Sequence, residues 1–191
     1  MLPLHIDYGQ LAARREWLAL IRFCKACRIA RPVRVDVRGL GIIPSGLTRS
    51  SSRWRANPFF PGRNLILASI ASGVGYSRGF RTIAFGFVAN TLYPDSTQEF
   101  VTAASAALSE AMGARIQVTA PLLRFSKRQT AELGRAVRAP TQLTYSCQVG
   151  GAIPCARCSS CRDRTSALAE NTVRSSRRRR ATRTSRTRGD Q

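Results

Sequence analysis

Lysine, histidine and acidic residues are all scarce in this chain of 191 residues. It has only two lysines, Lys25 and Lys127, a single histidine, His5, and 10 acidic residues against 31 basic ones, so its formal net charge is +21. Almost all of the positive charge is arginine, a bias that a GC-rich coding sequence and a nucleic-acid-binding surface would both produce. We expect the one histidine to be packed within a strand, and no Ser-His or Cys-His pair for nucleophilic catalysis is evident.

Long apolar runs are also absent. A helix needs about 20 apolar residues to cross a bilayer, and the longest candidate, residues 64–71, is far shorter and is followed by Arg78. The N-terminus lacks the basic start and apolar stretch of a secretory signal peptide. We therefore expect neither membrane spanning nor secretion, and we predict a cytoplasmic location.

Composition divides the chain into two zones. Hydrophobic residues make up 43% of it, enough for one domain with its own core, which we place at residues 1–170. Residues 171–191 hold eight arginines and one large apolar residue, Val173. Such a segment buries too little surface to offset its ordering entropy, so we predict a disordered arginine-rich tail.

Within residues 1–170, hydrophobic periodicity predicts strands that alternate with helices. The predicted strands are residues 2–6, 33–37, 82–88 and 115–119, and the predicted helices are residues 10–29, 64–76, 96–112, 126–137 and 159–169. This alternation favours an α/β class with one Rossmann-like parallel sheet covered by helices on both faces, whose ligands gather beyond the carboxyl ends of the strands. Residues 45–61, rich in Ser, Arg and Pro, are predicted to form a long surface loop.

Two of the predicted helices begin with the S/T-x-x-E/Q pattern of a capping box. Ser96 and Glu99 open the helix that runs to Met112, and Ser126 and Gln129 open the next one. Each serine is therefore predicted to be an N-cap residue.

Four of the six cysteines, Cys147, Cys155, Cys158 and Cys161, crowd one segment with the spacing C-x7-C-x2-C-x2-C. Four sulfur ligands suit a tetrahedral Zn²⁺ site, and two disulfides in an exported protein are the alternative. Because protein fills all four positions, the predicted metal is structural and ties helix 159–169 to the segment after Pro140. Cys24 and Cys27 lie on one face of the first predicted helix, where we expect buried small side chains rather than a redox or metal pair.

Further segments accompany the cysteine run in a fixed order. They are residues 5–10 (HIDYGQ), residues 60–66 (FPGRNLI), Asn90 with residues 93–96 (YPDS), residues 121–127 (PLLRFSK) and residues 143–147 (LTYSC). In order and spacing, over residues 3 to about 170, this series resembles the 7-cyano-7-deazaguanine synthase family of the PP-loop ATP pyrophosphatases. The resemblance implies a fold like that of the adenine nucleotide alpha hydrolases.

The resemblance implies a ligase reaction in queuosine and deazapurine synthesis. The substrate, 7-carboxy-7-deazaguanine, has a carboxylate oxygen that is a poor leaving group. Adenylation by ATP, with Mg²⁺, improves it, ammonia displaces it to give an amide, and a second adenylation with elimination gives the nitrile. The protein would supply positioning and charge stabilisation, and the resemblance leaves a homodimer open.

One family motif finds no match. The pyrophosphate-binding Ser-Gly-Gly-x-Asp-Ser loop belongs to the strand–helix unit before the strand that carries Asp7, and it is not in the printed sequence. We therefore expect an N-terminally truncated fold that lacks a central strand, a start codon assigned too late, and turnover only from a chain extended upstream. An in-frame stop codon upstream, with no such loop, would contradict this expectation.

The resemblance also supplies candidate residues for nucleotide and substrate. Arg63 and Asn64, after a Pro-Gly turn, would present a cation and an amide to an anionic ligand, and a solvent-facing helix cap is the alternative. Asn90, Tyr93 and Asp95 follow a predicted strand, where an α/β sheet binds its ligand. Tyr93 would stack on the base and Asp95 would accept from a purine-like N–H pair, or the segment is simply a turn before the next helix.

Two charged residues complete the set. Lys127, at a helix start in a chain that favours arginine, is expected to provide a compact charge for phosphate, and an ordinary surface charge is the alternative. Asp7 closes the first strand and could touch nucleotide or metal.

Two other functions remain open at this point. The first is a zinc-stabilised nucleic-acid-binding protein, in which residues 177–180 of the tail contact phosphates without sequence specificity. The second is another PP-loop enzyme, such as a tRNA-modifying thiolase or an amidating ligase, which would share the Ser-Lys segment but not this cysteine spacing. The Pro-Gly-Arg-Asn and Tyr-Pro-Asp segments favour the synthase, because a binding module has no use for them.

Overall fold

A computed structural model describes residues 1–51, 57–89 and 92–169, in which strands and helices alternate in the predicted order. The strands are β1 (Leu4–Asp7), β2 (Val33–Asp36), β3 (Thr82–Ala84) and β4 (Gln117–Thr119). The helices are α1 (Ala13–Ala26), α2 (Arg63–Tyr76), α3 (Gln98–Met112), α4 (Lys127–Ala136) and α5 (Ser159–Ala169). Asn90 and the predicted tail, residues 171–191, lie outside the described residues. Among the described helices, none combines the length and the apolar character needed to span a bilayer.

The strands form two parallel pairs rather than the single sheet that the sequence predicts. β1 pairs with β2 and β3 pairs with β4, and no ladder joins the two pairs within the described ranges. A cavity of about 560 Å³ lies between β1 and β3. The class, with parallel strands and five helices, is nevertheless α/β as expected.

The cavity is lined by strand edges. In a parallel pair, successive backbone groups point to opposite edges of the strand. With the observed registers, the N–H and C=O groups of Leu4 and Ile6 on β1, and of Thr82 and Ala84 on β3, face away from β2 and β4, and all four residues line the cavity.

The third strand is shorter than predicted. β3 ends at Ala84, and beyond it only the N–H of Phe85 continues the ladder, donating to the Thr119 carbonyl over 2.8 Å. β4 also ends at Thr119, and Pro121 follows, which has no N–H to donate. The apolar residues after β3 therefore pack without a partner strand, with Phe85 and Phe87 stacked at 4.7 Å.

Two apolar clusters hold these elements together. The larger one packs α2 and α3 against the β3–β4 pair, and its buried members are Ala68, Val101, Ala104, Leu108, Ile116 and Val118. The smaller one consists of Tyr8, Leu47 and Phe60. Leu47 and Phe60 belong to the segment predicted as a surface loop, so that prediction is wrong in part: residues 45–51 and 57–61 are irregular, but they cover the end of β1.

Local predictions at the first helix are met in part. His5 is packed as predicted, 9% exposed, with its ring 5.9 Å from that of Trp17. Cys24 is buried in α1, whereas Cys27 is only half-buried, because the helix ends at Ala26 and Cys27 is its C-cap.

The capping box predicted at α4 is confirmed: Ser126 accepts from the Gln129 N–H, and the Gln129 side chain accepts from the Ser126 N–H.

Candidate functional site

The four cysteines predicted as metal ligands come together. Their sulfur atoms all lie within 4.8 Å of one another, with Cys147 and Cys161 buried and Cys155 and Cys158 half-buried. All six cysteines of the chain are free thiols, so the disulfide alternative is not what the structure adopts. Sulfurs at the corners of a zinc tetrahedron with bonds of about 2.3 Å would be about 3.8 Å apart. The cluster therefore fits Zn²⁺ if its sulfur–sulfur distances shorten by at most about 1 Å.

Backbone N–H groups point at the sulfurs of this cluster. The N–H of Cys155 donates to Cys147 Sγ and that of Cys158 donates to Cys155 Sγ, each over 3.3 Å. The N–H groups of Cys158 and Arg157 lower the pKa of Cys155 to about 6, whereas burial raises the pKa of Cys161 to about 12. Hydrogen bonds of this kind stabilise thiolate, which is the form that binds a metal.

The loop between the first cysteine and the other three packs directly on the body of the protein. Gly150 has a φ of +77°, and a Cβ there would stand 2.0 Å from the Leu11 carbonyl oxygen. The Tyr145 hydroxyl donates to the Gly151 carbonyl over 2.8 Å, and burial raises the pKa of Tyr145. Gly150 thus allows close backbone contact with the residues just before α1.

Helix α5 connects this cluster to the preceding segment. Cys161 lies in its first turn, and Arg164 donates to the Thr141 carbonyl over 2.9 Å and to the Thr144 hydroxyl. These contacts join helix 159–169 to the segment after Pro140 without the metal, and the tie through a metal that the cysteine spacing predicts stays a prediction.

A second group of polar residues surrounds the N-terminus of α2. Gly62, the N-cap, has a φ of +65° and no side chain with which to cap the helix. Asp95, 31 positions beyond Asn64, takes over this role, since its Oδ2 accepts from the Asn64 N–H over 3.1 Å. Asn64 is 2% exposed, and its Nδ2 donates to the Asp95 carbonyl over 2.8 Å and to Ser96 Oγ over 3.0 Å.

The expectation that Ser96 caps the following helix is wrong. Thr97 is the N-cap of α3, where its side chain accepts from the Phe100 N–H over 3.2 Å. Ser96 is buried and is committed to Asn64 instead. Ser96 and Thr97 both carry a hydroxyl and both precede the helix. The contact of Ser96 with Asn64, which is distant in sequence, leaves Thr97 as the N-cap.

Arg63 lies beside this network. Its Nε donates to Asn64 Oδ1 over 3.2 Å, and its guanidinium lies near the Tyr8 hydroxyl. Burial raises the pKa of Tyr8, and the nearby guanidinium of Arg63 opposes that rise. Both side chains line the cavity between β1 and β3, together with Gln10 and Glu16, whose side chains are joined by a 2.9 Å hydrogen bond.

Tyr93 has an aromatic partner that the sequence pattern did not single out. The ring of Phe59 lies parallel to it, with the centroids 6.3 Å apart and an interplanar angle of 9°. Phe59 precedes the Phe-Pro-Gly-Arg-Asn run, so the sequence signal was an aromatic residue next to a matched segment. The pair offers a flat apolar surface near the N-terminus of α2.

The remaining candidates lie elsewhere. Asp7 is 2% exposed and already paired, since Arg34 Nη2 is 2.5 Å from its Oδ2 and the Gly9 N–H donates to its Oδ1. Lys127 lies in a separate cavity of about 310 Å³ between α4 and α5, where it forms an ion pair with Asp163. The structure therefore brings Arg63, Asn64 and Asp95 together and sets Lys127 apart from them.

Replacing Asn64 by Ala is expected to lower the free energy of unfolding by about 2 kcal/mol, because two buried hydrogen bonds worth about 1 kcal/mol each are lost. Urea unfolding would measure the change. The exposed Asn57, which makes one local bond to the Phe59 N–H, is the control, and Asn57→Ala should stay within about 0.5 kcal/mol of the parent. Equal losses in the two variants would contradict the role assigned to Asn64.

A family model and several relatives match most of this chain. A family model described as queuosine biosynthesis protein QueC matches residues 1–172. A 7-cyano-7-deazaguanine synthase of Aquifex aeolicus is 41% identical over 178 residues, which cover 85% of this chain and 82% of that protein. 7-Cyano-7-deazaguanine synthase 1 of Desulfitobacterium hafniense is 30% identical over 175 residues, which cover 87% and 79%. The synthase of a Synechococcus strain is 31% identical over 186 residues, which cover 88% and 81%.

These matches decide between the hypotheses that the sequence left open. They run through the Pro-Gly-Arg-Asn segment, the Tyr-Pro-Asp segment and the cysteine cluster, and they do not favour a nucleic-acid-binding module. The chain belongs to the family of the queuosine biosynthesis protein QueC.

Proposed function

We propose that this sequence, once extended upstream to include the pyrophosphate-binding loop, carries out the ATP-dependent conversion of 7-carboxy-7-deazaguanine and ammonia to 7-cyano-7-deazaguanine. The names of its relatives support the product. The observation that carries the proposal is the group formed by Arg63, Asn64 and Asp95, with Tyr93 on the same turn as Asp95. Tyr8 follows β1 and Tyr93 lies beyond β3, so the group stands past the carboxyl ends of the strands, where α/β folds bind ligands.

Each residue has a role that its contacts permit. The Arg63 guanidinium, fixed at one nitrogen by Asn64 Oδ1, has further N–H groups for the substrate carboxylate. Tyr93 and Phe59 provide a planar apolar surface for the deazapurine ring. Asp95 Oδ2 caps α2, so the other carboxylate oxygen of Asp95 would accept hydrogen bonds from the ring N–H groups of the substrate. Asn64 is a positioning residue, because its polar atoms are used within the protein.

The chemistry that these residues would serve is activation of a carboxylate. Transfer of AMP from ATP to the carboxylate, with Mg²⁺ on the phosphates, converts a poor leaving oxygen into a good one, and ammonia then displaces AMP to give the amide. A second adenylation, at the amide oxygen, is followed by loss of AMP and protons to give the nitrile. In this scheme Lys127 contacts phosphate, Asn90 completes the nucleotide site, and the protein contributes orientation and charge stabilisation.

The metal in this proposal is structural. Zn²⁺ on Cys147, Cys155, Cys158 and Cys161 would have no open position for substrate, so it would stabilise the fold without taking part in the reaction. A cytoplasmic location, a homodimer and non-specific nucleic-acid contact through the arginine-rich tail belong to the same proposal as predictions.

Binding of the substrate tests the proposal most directly. We expect isothermal titration to show that 7-carboxy-7-deazaguanine binds at least about tenfold more tightly than 7-deazaguanine, because only the former offers Arg63 a carboxylate and a charge-assisted hydrogen bond is worth about 1.5–3 kcal/mol. Arg63→Gln should remove this preference. Arg78→Gln, the same change at an exposed residue in the turn after α2, should keep it.

Turnover provides the second arm of the test. In a chain extended upstream to include the pyrophosphate-binding loop, adenylation of 7-carboxy-7-deazaguanine should support ATP–pyrophosphate exchange, and sustained release of AMP should require ammonia as well. Equal binding of the two deazapurines by the parent protein would refute the substrate assignment. Salt-sensitive binding of random duplex DNA that survives removal of residues 171–191 would instead support the nucleic-acid-binding alternative.

A further inference from the structure

Lys127 is held by a residue of a different helix. Its ammonium forms an ion pair with Asp163 Oδ2, which connects the first residue of α4 to the second turn of α5. The two side chains are 55% and 45% exposed, and both line the cavity of about 310 Å³ between the helices. Asp163 is the acidic residue on this face of α5, and it lies 36 positions from Lys127 in the sequence.

Two neighbouring residues of α5, one before Asp163 and one after it, anchor the helix and so fix the position of Asp163. Cys161, two residues earlier, belongs to the four-cysteine cluster and is 4% exposed. Arg164, the next residue, attaches the helix to the Thr141 carbonyl and the Thr144 hydroxyl. A movement of α5 relative to the cluster would therefore move the Asp163 carboxylate away from Lys127.

We propose that Asp163 is a positioning residue for Lys127, and that metal on the four cysteines holds this pair together through α5. The zinc site thus acts on Lys127 without touching it. The consequence for phosphate binding rests on the proposed function, but the placement of the Lys127 ammonium does not.

The ion pair acts on geometry more than on stability. Exposed pairs of this kind contribute little to the free energy of unfolding, and an unpaired lysine side chain samples many rotamers. Pairing with a carboxylate on a fixed helix restricts these rotamers and holds the ammonium at the mouth of the cavity. Loss of the carboxylate, or of the metal that fixes its helix, should leave the amine free.

The scarcity of lysine makes this directly measurable. Lys25, on the exposed side of α1, is the only other lysine in the chain. Brief acetylation with a limiting amount of an N-hydroxysuccinimide ester, read by mass spectrometry, gives the ratio of Lys127 to Lys25 modification within the same molecules. In the zinc-loaded protein, Asp163→Asn is expected to raise this ratio about threefold, as release of an exposed ion pair would allow.

Matched variants separate the steps of the inference. Asp163→Glu should restore much of the parent ratio, and Asp36→Asn, which removes an exposed pair with Arg38, should leave it unchanged. Removal of zinc by a chelator should raise the parent ratio to the level of Asp163→Asn and should add little in that variant. Arg164→Gln, which loosens α5 without altering the cysteines, should raise the ratio part of the way, and near-UV circular dichroism would show that its fold is intact.

The outcomes distinguish this inference from the proposed function. A ratio that is the same in the parent and in Asp163→Asn overturns the positioning role. A ratio that rises in Asp163→Asn but not on zinc removal overturns the link to the metal. The ratios of Lys127 to Lys25 modification can behave as expected in a parent protein that fails to bind 7-carboxy-7-deazaguanine, and this result would refute the proposed function alone. In an active protein, Asp163→Asn should raise the KM for ATP about threefold with little change in kcat.

Discussion

Replacing Cys161 by Ser is expected to reduce bound zinc from about one ion per chain to nearly none and to unfold the C-terminal segment. A serine hydroxyl does not ionise near neutral pH and is a poor zinc ligand, so three sulfurs would remain around an incomplete site. Cys161 is 4% exposed, and α5 depends on it for its place beside the cluster. Loss of a structural metal is among the largest effects of a single substitution, and we expect at least about 3 kcal/mol of destabilisation.

The matched control for this change is Cys24→Ser. Cys24 is at least as buried, at 2% exposure, but it lies in α1 outside the cluster. The Cys24→Ser variant should be less stable than the parent, because it buries a hydroxyl. It should keep its zinc, as metal analysis after dialysis would show. Full zinc content in Cys161→Ser would contradict the assigned ligand set, as would a purified parent protein that is free of metal and has these sulfurs oxidised in pairs.

The cysteine cluster was predictable because its information is local. Close spacing limits where the sulfurs can go, and three of the four ligands lie within seven residues of one another. The helices were predictable for a similar reason, since an apolar stripe of period 3.6 is written in consecutive residues. The boundaries of α2 and α4 accordingly fall within one residue of the prediction.

The polar network at α2 could not be predicted in the same way. Its central contacts join Asn64 to Asp95 and Ser96, more than 30 positions away, and Gly62 gives no sign that a distant carboxylate caps the helix. The S-x-x-E pattern predicts Ser96 as an N-cap, but its side chain makes a buried hydrogen bond to Asn64 instead. This bond replaces the stabilisation that Ser96 would contribute as a local helix cap. Long-range hydrogen bonds of this kind are a property of the assembled fold.

The sheet was predicted only in part, because strand pairing depends on what lies between the strands. The apolar pattern indicates β1 and β2 correctly, but it does not show that β1 and β3 stand apart across a cavity. Only the family resemblance, through the strand–helix unit that finds no match, led to the expectation of a missing central strand. In the same way, Leu47 and Phe60 lie in a stretch whose serines, arginines and prolines are typical of surface, and yet they are buried against Tyr8. Composition describes the segment as a whole, whereas burial is decided residue by residue.

Replacing Gly150 by Ala is expected to have the second-largest effect on the free energy of unfolding, with a loss of about 3 kcal/mol or more and weaker zinc retention. Two costs combine at this position. A φ of +77° is unfavourable for any residue with a Cβ, by about 1–2 kcal/mol. The added methyl would also stand 2.0 Å from the Leu11 carbonyl oxygen, so the metal loop or the start of α1 must move.

Gly79 separates these two costs, because its φ of +79° is almost the same and a Cβ there would meet nothing within 4 Å. Gly79→Ala should therefore show the conformational cost alone, about 1–2 kcal/mol, with zinc content unchanged. Urea unfolding of both variants, together with zinc analysis, measures the difference. If Gly150→Ala lost no more stability than Gly79→Ala and kept its zinc, the metal loop would not need its close contact with Leu11. If the difference is found, the four cysteines depend on that contact, since the same backbone approach that excludes a methyl group sets the position of the loop from which Cys147 and Cys155 reach the metal.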